Sequence, residues 1–89
     1  MGPKRKTNKE FWVYMLECAG ECIYTGIAVD PESRFLEHLS GKGSRFTRAR
    51  KPIRIIGARR YPDRGTALRV ESSLKKLTPD AKRKWAASA

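Results

Sequence analysis

The stretch FWVYML, Phe11 to Leu16, is the tightest constraint in this 89-residue chain. Six consecutive apolar or aromatic side chains, rich in strand formers, leave no polar face for water. A strand built from them must be covered on both sides, which places it in the middle of its sheet. Ala19-Gly20-Glu21 then supplies a short turn, and Cys22-Ile23-Tyr24-Thr25 reads as an antiparallel partner. A chain this short divides its apolar residues into one core only, so the sheet is small and helices must cover it.

The helix signals are local. Asp30 can cap free N–H groups, and Pro31 fits the first helical position, where its missing N–H costs nothing. The helix is expected to carry Phe35, Leu36 and Leu39 inward and to stop around Ser40-Gly41. The next segment, GKGSRFTRARK, is glycine-rich and basic and reads as a loop. Ile53 to Ala58 (IRIIGA) follows Pro52 as a third strand. Pro62-Asp63 opens a second helix through Leu77, with an apolar stripe of Ala67, Val70, Leu74 and Leu77. Thr78-Pro79-Asp80 caps a last short helix ending near Trp85. This order predicts an α+β fold, a small three-stranded antiparallel sheet flanked by helices. Residues 1–10 (MGPKRKTNKE) lack periodicity and read as a flexible basic tail, and residues 11–86 as a single domain. PKRK has three readings, a nuclear-import patch, a phosphate-binding arm or a solubilising leader.

Charge narrows the function. The formal net charge is +11, and its signs are segregated. Between Phe11 and Gly41 stand five acids, Glu17, Glu21, Asp30, Glu32 and Glu37, against Arg34 alone. From Gly41 to Arg60 there are eight basic residues and no acid. A solubilising surface would mix the signs. This pattern is the footprint of a polyanionic partner, nucleic acid first, with a charged solvated face as the bland alternative. No apolar run approaches the roughly 18 residues of a membrane span, and no signal-like segment follows the basic start. Two cysteines and one histidine cannot supply four zinc ligands. A Ser-His-Asp triad would have to rely on His38. Cys18 and Cys22 flank the hairpin turn and are expected as reduced thiols in a cytosolic protein.

Several residues could carry chemistry. Tyr14 and Tyr24 lie on paired strands, where the period of two lets them share a face. Both could equally be core. Arg34 and His38 are four apart on one helix face. Arg34 could simply pair with Glu37 or Asp30, and His38 could be a helix-end residue favoured by the macrodipole. Glu71 falls beside the apolar stripe of its helix, at the edge of the core. It can pair with Lys75 at i+4 or hold a hard divalent cation. Phosphodiester hydrolysis needs a base for water, a cation on the phosphate, a metal for the leaving oxygen, and positive surface for the substrate. Tyr24, Arg34, Glu71 with Mg²⁺, and the basic segment could supply them in turn.

In order along the chain, these residues resemble the GIY-YIG nuclease superfamily over about residues 11 to 77. Trp12-Val13-Tyr14 stands where GIY is expected, and Tyr24-Thr25-Gly26 stands for YIG. Arg34 and His38, in SRFLEH, match the Arg and His of the family's first helix. Glu71, in ALRVESSLKKL, matches its metal-binding carboxylate. SGKGSRFTRARKPIRII is similar to the small stand-alone bacterial branch, itself similar to the catalytic half of branched-DNA endonucleases that work with a scaffold subunit. Three positions depart from the pattern. Trp12 replaces Gly, Ile27 stands where many relatives carry Lys, and the late Asn of several members is missing, the only Asn being Asn8.

The resemblance implies a catalytic set of Tyr14, Tyr24, Arg34 and His38, with Glu71 holding one Mg²⁺ (or Mn²⁺). Tyr24 would be the general base and Tyr14 would orient it or the attacking water. A free tyrosine titrates near about 10, so such a base needs a cation or metal beside it. Arg34 would stabilise charge on the phosphate, His38 would assist positioning or proton transfer, and the products would be 5′-phosphate and 3′-hydroxyl ends. Lys42, Arg45, Arg48, Arg50, Lys51 and Lys75 form the expected nucleic-acid-binding set, with Gly41, Gly43 and Thr47 letting the basic segment approach the backbone. The expected activity is a metal-dependent DNA endonuclease of repair, recombination or processing. It would recognise the shape of branched or damaged DNA rather than sequence, alone or with a protein partner, in the cytoplasm or nucleoid and with neither membrane nor zinc. Two alternatives stay open, a non-catalytic nucleic-acid-binding module and a small RNA- or ribosome-associated protein.

Overall fold

The computed structural model describes residues 10–89, so most of the basic tail expected at residues 1–10 lies outside the described residues. Strand β1 (Phe11–Cys18) runs into β2 (Cys22–Ala28) through a tight turn in which Gly20 and Glu21 both take positive φ, 80° and 60°. Helix α1 (Pro31–Leu39), a short helix α2 (Arg45–Ala49), strand β3 (Pro52–Tyr61) and helices α3 (Arg64–Lys75) and α4 (Pro79–Ser88) follow. The strands form one antiparallel sheet in the order β2-β1-β3. The run FWVYML is therefore central, as its composition requires, and Val13, Tyr14, Met15 and Leu16 are all buried. The architecture is the expected α+β class.

The two faces of β1 bury different chemistry. Val13 and Met15, with Ile23 from β2, pack against Ala67 and Leu74 of α3 and Ala86 of α4. Tyr14, Leu16 and Cys18 point the other way, toward Tyr24, Phe35 and Ile55. Helix α4 lies so close on β3 that a Cβ at Gly57 would stand 2.5 Å from the Ala86 carbonyl oxygen, which demands glycine there. Cys18 is buried, Cys22 is half-buried, and both are free thiols.

The expected caps are in place. Asp30 accepts from the N–H groups of Glu32 and Ser33, Asp63 from Thr66, and Thr78 from Ala81. Four expectations need correction. The segment GKGSRFTRARK is not all loop, because Ser44 and Thr47 make a capping box that starts α2. Leu36 and Leu39 do not face inward but are 63% and 39% exposed, since the inward stripe of α1 is the half-buried Pro31, Arg34 and Phe35 with the buried His38, spaced i, i+3, i+4 and i+7. Strand β3 extends to Tyr61, following the whole length of β1. Helix α3 ends at Lys75 and leaves Leu77 exposed, while α4 continues past Trp85 to Ser88. Among the described residues no helix is long and apolar enough to cross a membrane.

Candidate active site

The site grows from the polar face of β1. Tyr14 pairs with Gly26 and Leu16 with Tyr24 across the β1–β2 ladder, so the two tyrosines lie diagonally on one face. Their ring centroids are 6.3 Å apart. Gly26 is what lets them meet, because a Cβ there would stand 2.8 Å from the Tyr14 hydroxyl and 2.9 Å from the Tyr24 ring. Tyr14 is buried and Tyr24 half-buried, so only the second is open to water or substrate.

Helix α1 lays His38 onto this pair. The imidazole is 1% exposed, its ring centroid 5.0 Å from Tyr24, with Nε2 2.9 Å from the Tyr14 hydroxyl. Nδ1 meets the Thr47 hydroxyl of α2 at 2.8 Å. Gly43 makes room for the ring, since a Cβ there would fall on the imidazole itself. His38 is thus no solvated helix-end cation. Burial first, and then the Arg34 charge, hold its pKa below the ordinary histidine value, which keeps the ring neutral.

Arg34, one turn earlier, donates to Glu37 at 2.6 Å, the surface pairing that its place in an acidic stretch foretells. Its guanidinium also acts on Tyr14. Burial and the neighbouring Tyr24 push the Tyr14 pKa well above the ordinary tyrosine value, while Arg34 opposes that rise. With one donor nitrogen on Glu37, the fork keeps others for a phosphate oxygen.

Glu71 comes from α3, the helix of the opposite, apolar face. Its side chain is 16% exposed and pairs with Lys75 at 3.4 Å. Its negative charge still reaches Tyr14, as the smallest contribution to the raised pKa. Among the described residues no hydrogen bond joins Glu71 to the tyrosine cluster, and no group of three or more His, Cys, Asp or Glu side chains stands together. One half-buried carboxylate suits Mg²⁺, a hard cation commonly held by one or two carboxylates, with water and substrate phosphate completing its shell. The donor set therefore fits such an ion.

The basic residues frame this cluster. Lys42, Arg45, Arg48, Arg50 and Lys51 are all exposed, on α2 or beside it. Arg50 reaches back over the β1–β2 turn, with Nη1 2.9 Å from where a Gly20 Cβ would be. A cleft of about 360 Å³ opens beside His38, lined by Leu39, Gly41, Thr47, Arg48 and Lys51. Lys75, expected on nucleic acid, is exposed and pairs with Glu71 at 3.4 Å. Tyr14, Tyr24, Arg34 and His38 therefore converge, the charge of Glu71 bears weakly on Tyr14 alone, and Thr47 is the member that sequence reasoning underread. Its only sequence signal was the spacing Ser44-x-x-Thr47.

Comparison with known proteins places the family and the fold. The GIY-YIG catalytic domain family matches residues 10–84. The chain is 48% identical over 80 residues to a UPF0213 protein of Cupriavidus necator, covering 90% of this chain and 87% of that one. It is 35% identical over 79 residues to a UPF0213 protein of Haloquadratum walsbyi, covering 89% of each. Its fold is similar to the solution NMR structure of the UPF0213 protein BH0048 from Bacillus halodurans, with a TM-score of 0.53, 36% identity, and coverage of 85% and 81% of the two chains.

Proposed function

The chain belongs to the GIY-YIG catalytic domain family, a family of nucleases, and from that premise we propose that it is a metal-dependent DNA endonuclease selecting substrates by shape. The observation that carries this reading is the meeting of Tyr14, Tyr24, Arg34 and His38 on one sheet face, beside the exposed cations of α2. Phosphate binding alone has no use for a buried Tyr–His pair under a second, half-open tyrosine.

In this reading Tyr24, the accessible tyrosine, acts as its phenolate, its own proton given up to solvent beforehand, and takes the proton of the attacking water on its Oη. Water's oxygen then bonds to phosphorus as the bond to the 3′ oxygen breaks. Tyr14, held by His38, fixes the orientation of that water or of Tyr24. Arg34 places its remaining N–H donors on the non-bridging oxygens, where charge builds in the transition state. Glu71 would hold a single Mg²⁺ or Mn²⁺, which polarises the phosphate and stabilises the leaving oxygen when bound. Lys42, Arg45, Arg48, Arg50, Lys51 and Lys75 hold the backbone without reading sequence. Branched or damaged DNA in the cytoplasm or nucleoid is the proposed substrate, met alone or with a protein partner. Residues 11–86 would be one catalytic domain, preceded by a basic tail at residues 1–10.

Cleavage of end-labelled branched and linear duplexes with Mg²⁺, Mn²⁺ or EDTA tests the proposal. It requires cutting only with metal, faster on branched DNA, and lost in Glu71→Ala while DNA binding is retained. Salt-sensitive binding unaffected by Mg²⁺ and by Glu71→Ala, with no cutting of any substrate, would reduce the protein to a binding module. Tighter binding to RNA at matched salt would move it to the RNA-associated class.

A further inference from the structure

A chain of buried hydrogen bonds runs from the catalytic face into the basic helix, and the hydrogen it carries at each step can be worked out. Tyr14 is 1% exposed, so its hydroxyl hydrogen must find an acceptor in the protein. Arg34, whose guanidinium acts on the Tyr14 oxygen, only donates. That leaves His38 Nε2, 2.9 Å away, as the acceptor. The ring is neutral, so an accepting Nε2 puts the proton on Nδ1, which then donates to the Thr47 oxygen at 2.8 Å. Thr47 is 2% exposed and also accepts the Ser44 N–H at 3.1 Å. Its own hydrogen has an outlet in the Ser44 carbonyl, also at 3.1 Å. Every bond in the chain is then made in one sense only.

We propose that Thr47 is a positioning residue for the site: by accepting from Nδ1 it holds His38 in the Nδ1–H tautomer, which obliges Tyr14 to donate and leaves the lone pairs of its oxygen facing Arg34. The inference deepens the nuclease reading and rests on it for its effect on rate. Thr47 belongs to the capping box of α2, which carries the exposed Arg45 and Arg48. The helix that meets the phosphate backbone is therefore tied by one buried side chain to the orientation of Tyr14. With no acceptor at position 47, Nδ1–H would be stranded in the interior. Part of the population would then carry the proton on Nε2, with Tyr14 as the acceptor and its own hydrogen turned away from the ring.

His38 is the only histidine in the chain, so its two ring nitrogens can be read directly by proton–nitrogen NMR without assignment. The wild type should show Nδ1 protonated and Nε2 bare at neutral pH. Thr47→Val should shift the population toward Nε2–H, whereas Thr47→Ser, which keeps the oxygen, should preserve Nδ1–H. Ser44→Ala removes the other half of the cap but not the Nδ1 partner, and should also keep the wild-type tautomer. On branched DNA, Thr47→Val should lower single-turnover cleavage about 10–100-fold, by analogy with partners that orient metal-bound histidines, with binding unchanged and Thr47→Ser restoring the rate. A wild type protonated at Nε2, a Thr47→Val protein still protonated at Nδ1, or a tautomer shift without loss of rate would each overturn the proposal. Should the tautomers behave as expected while the wild type cuts no DNA, the nuclease reading fails and the assignment of Thr47 to the histidine stands.

Discussion

Each face of the sheet buries one threonine of the described residues, and the two are treated in opposite ways. Thr25 lies across from Met15 on the face covered by α3 and α4; it is 3% exposed and its hydroxyl has no partner among the described residues. Thr47, 2% exposed under the other face, is bonded to both His38 and Ser44. On the apolar face side chains are held by burial of surface, and a stray hydroxyl is a cost. On the polar face they are held by direction, and a hydroxyl is a fixed point. Strand β1 serves both because alternate residues point opposite ways. On the proposed function stability is concentrated on one side and chemistry on the other, and substitutions can separate the two.

The largest expected effect is on the apolar face. Met15→Ala removes a fully buried side chain from the cluster around Val13, Ala67 and Leu74. It should cost about 2–5 kcal/mol in urea unfolding, yet leave cleavage per folded molecule near wild type. Thr25→Val should go the other way and stabilise by about 1 kcal/mol, since it replaces an unpartnered buried hydroxyl with a methyl group of similar shape. A destabilised Thr25→Val protein would show that this face is less dry than described.

The pH dependence belongs to the polar face. His38 has a folded pKa below its unfolded value, so its contribution to stability is full above about 6.5, the ordinary histidine pKa. As pH falls below that value the unfolded chain takes up the proton first, and the contribution is lost down through the folded pKa. The groups around the ring are Tyr14, Tyr24, Arg34, Glu37 and Thr47. Unfolding measured across this window should show His38→Asn removing the pH-dependent part and leaving the carboxylates' share. The smallest effect is expected where the faces meet: Lys75→Ala should lower stability by only about 0.3–0.5 kcal/mol, as for an i,i+4 surface pair, visible as a small shift in the urea midpoint.

How much the chain declares in advance follows the same division. The central strand and the caps at Asp30, Asp63 and Thr78 were legible because each depends on a few adjacent residues. Tyr14, Tyr24, Arg34 and His38 were legible by resemblance, and Glu71 by its place on the helical wheel. The inward face of α1 was not. A hydrophobic stripe drawn through Leu36 and Leu39 assumes that the helix packs on an apolar layer, and here the layer beneath is a tyrosine pair that takes His38 instead. Helix α2 was hidden for a related reason. With Arg45, Arg48 and Ala49 facing water it has no apolar periodicity, and it is held by a Ser44–Thr47 cap whose second residue is Thr rather than the usual Glu or Gln. Thr47 could not be tied to His38 from spacing, because the contact exists only once α2 folds back under α1.

The claim that the polar face is the catalytic one is tested most directly by Tyr24→Phe. The exchange keeps the ring edge-on to His38 and beside Phe46 and deletes only the hydroxyl. Single-turnover cleavage of branched DNA with Mg²⁺, measured beside binding and thermal unfolding of the same protein, should fall about 10²–10⁴-fold with the other two unchanged. Cleavage retained within a few-fold of wild type would contradict the account and place the base elsewhere.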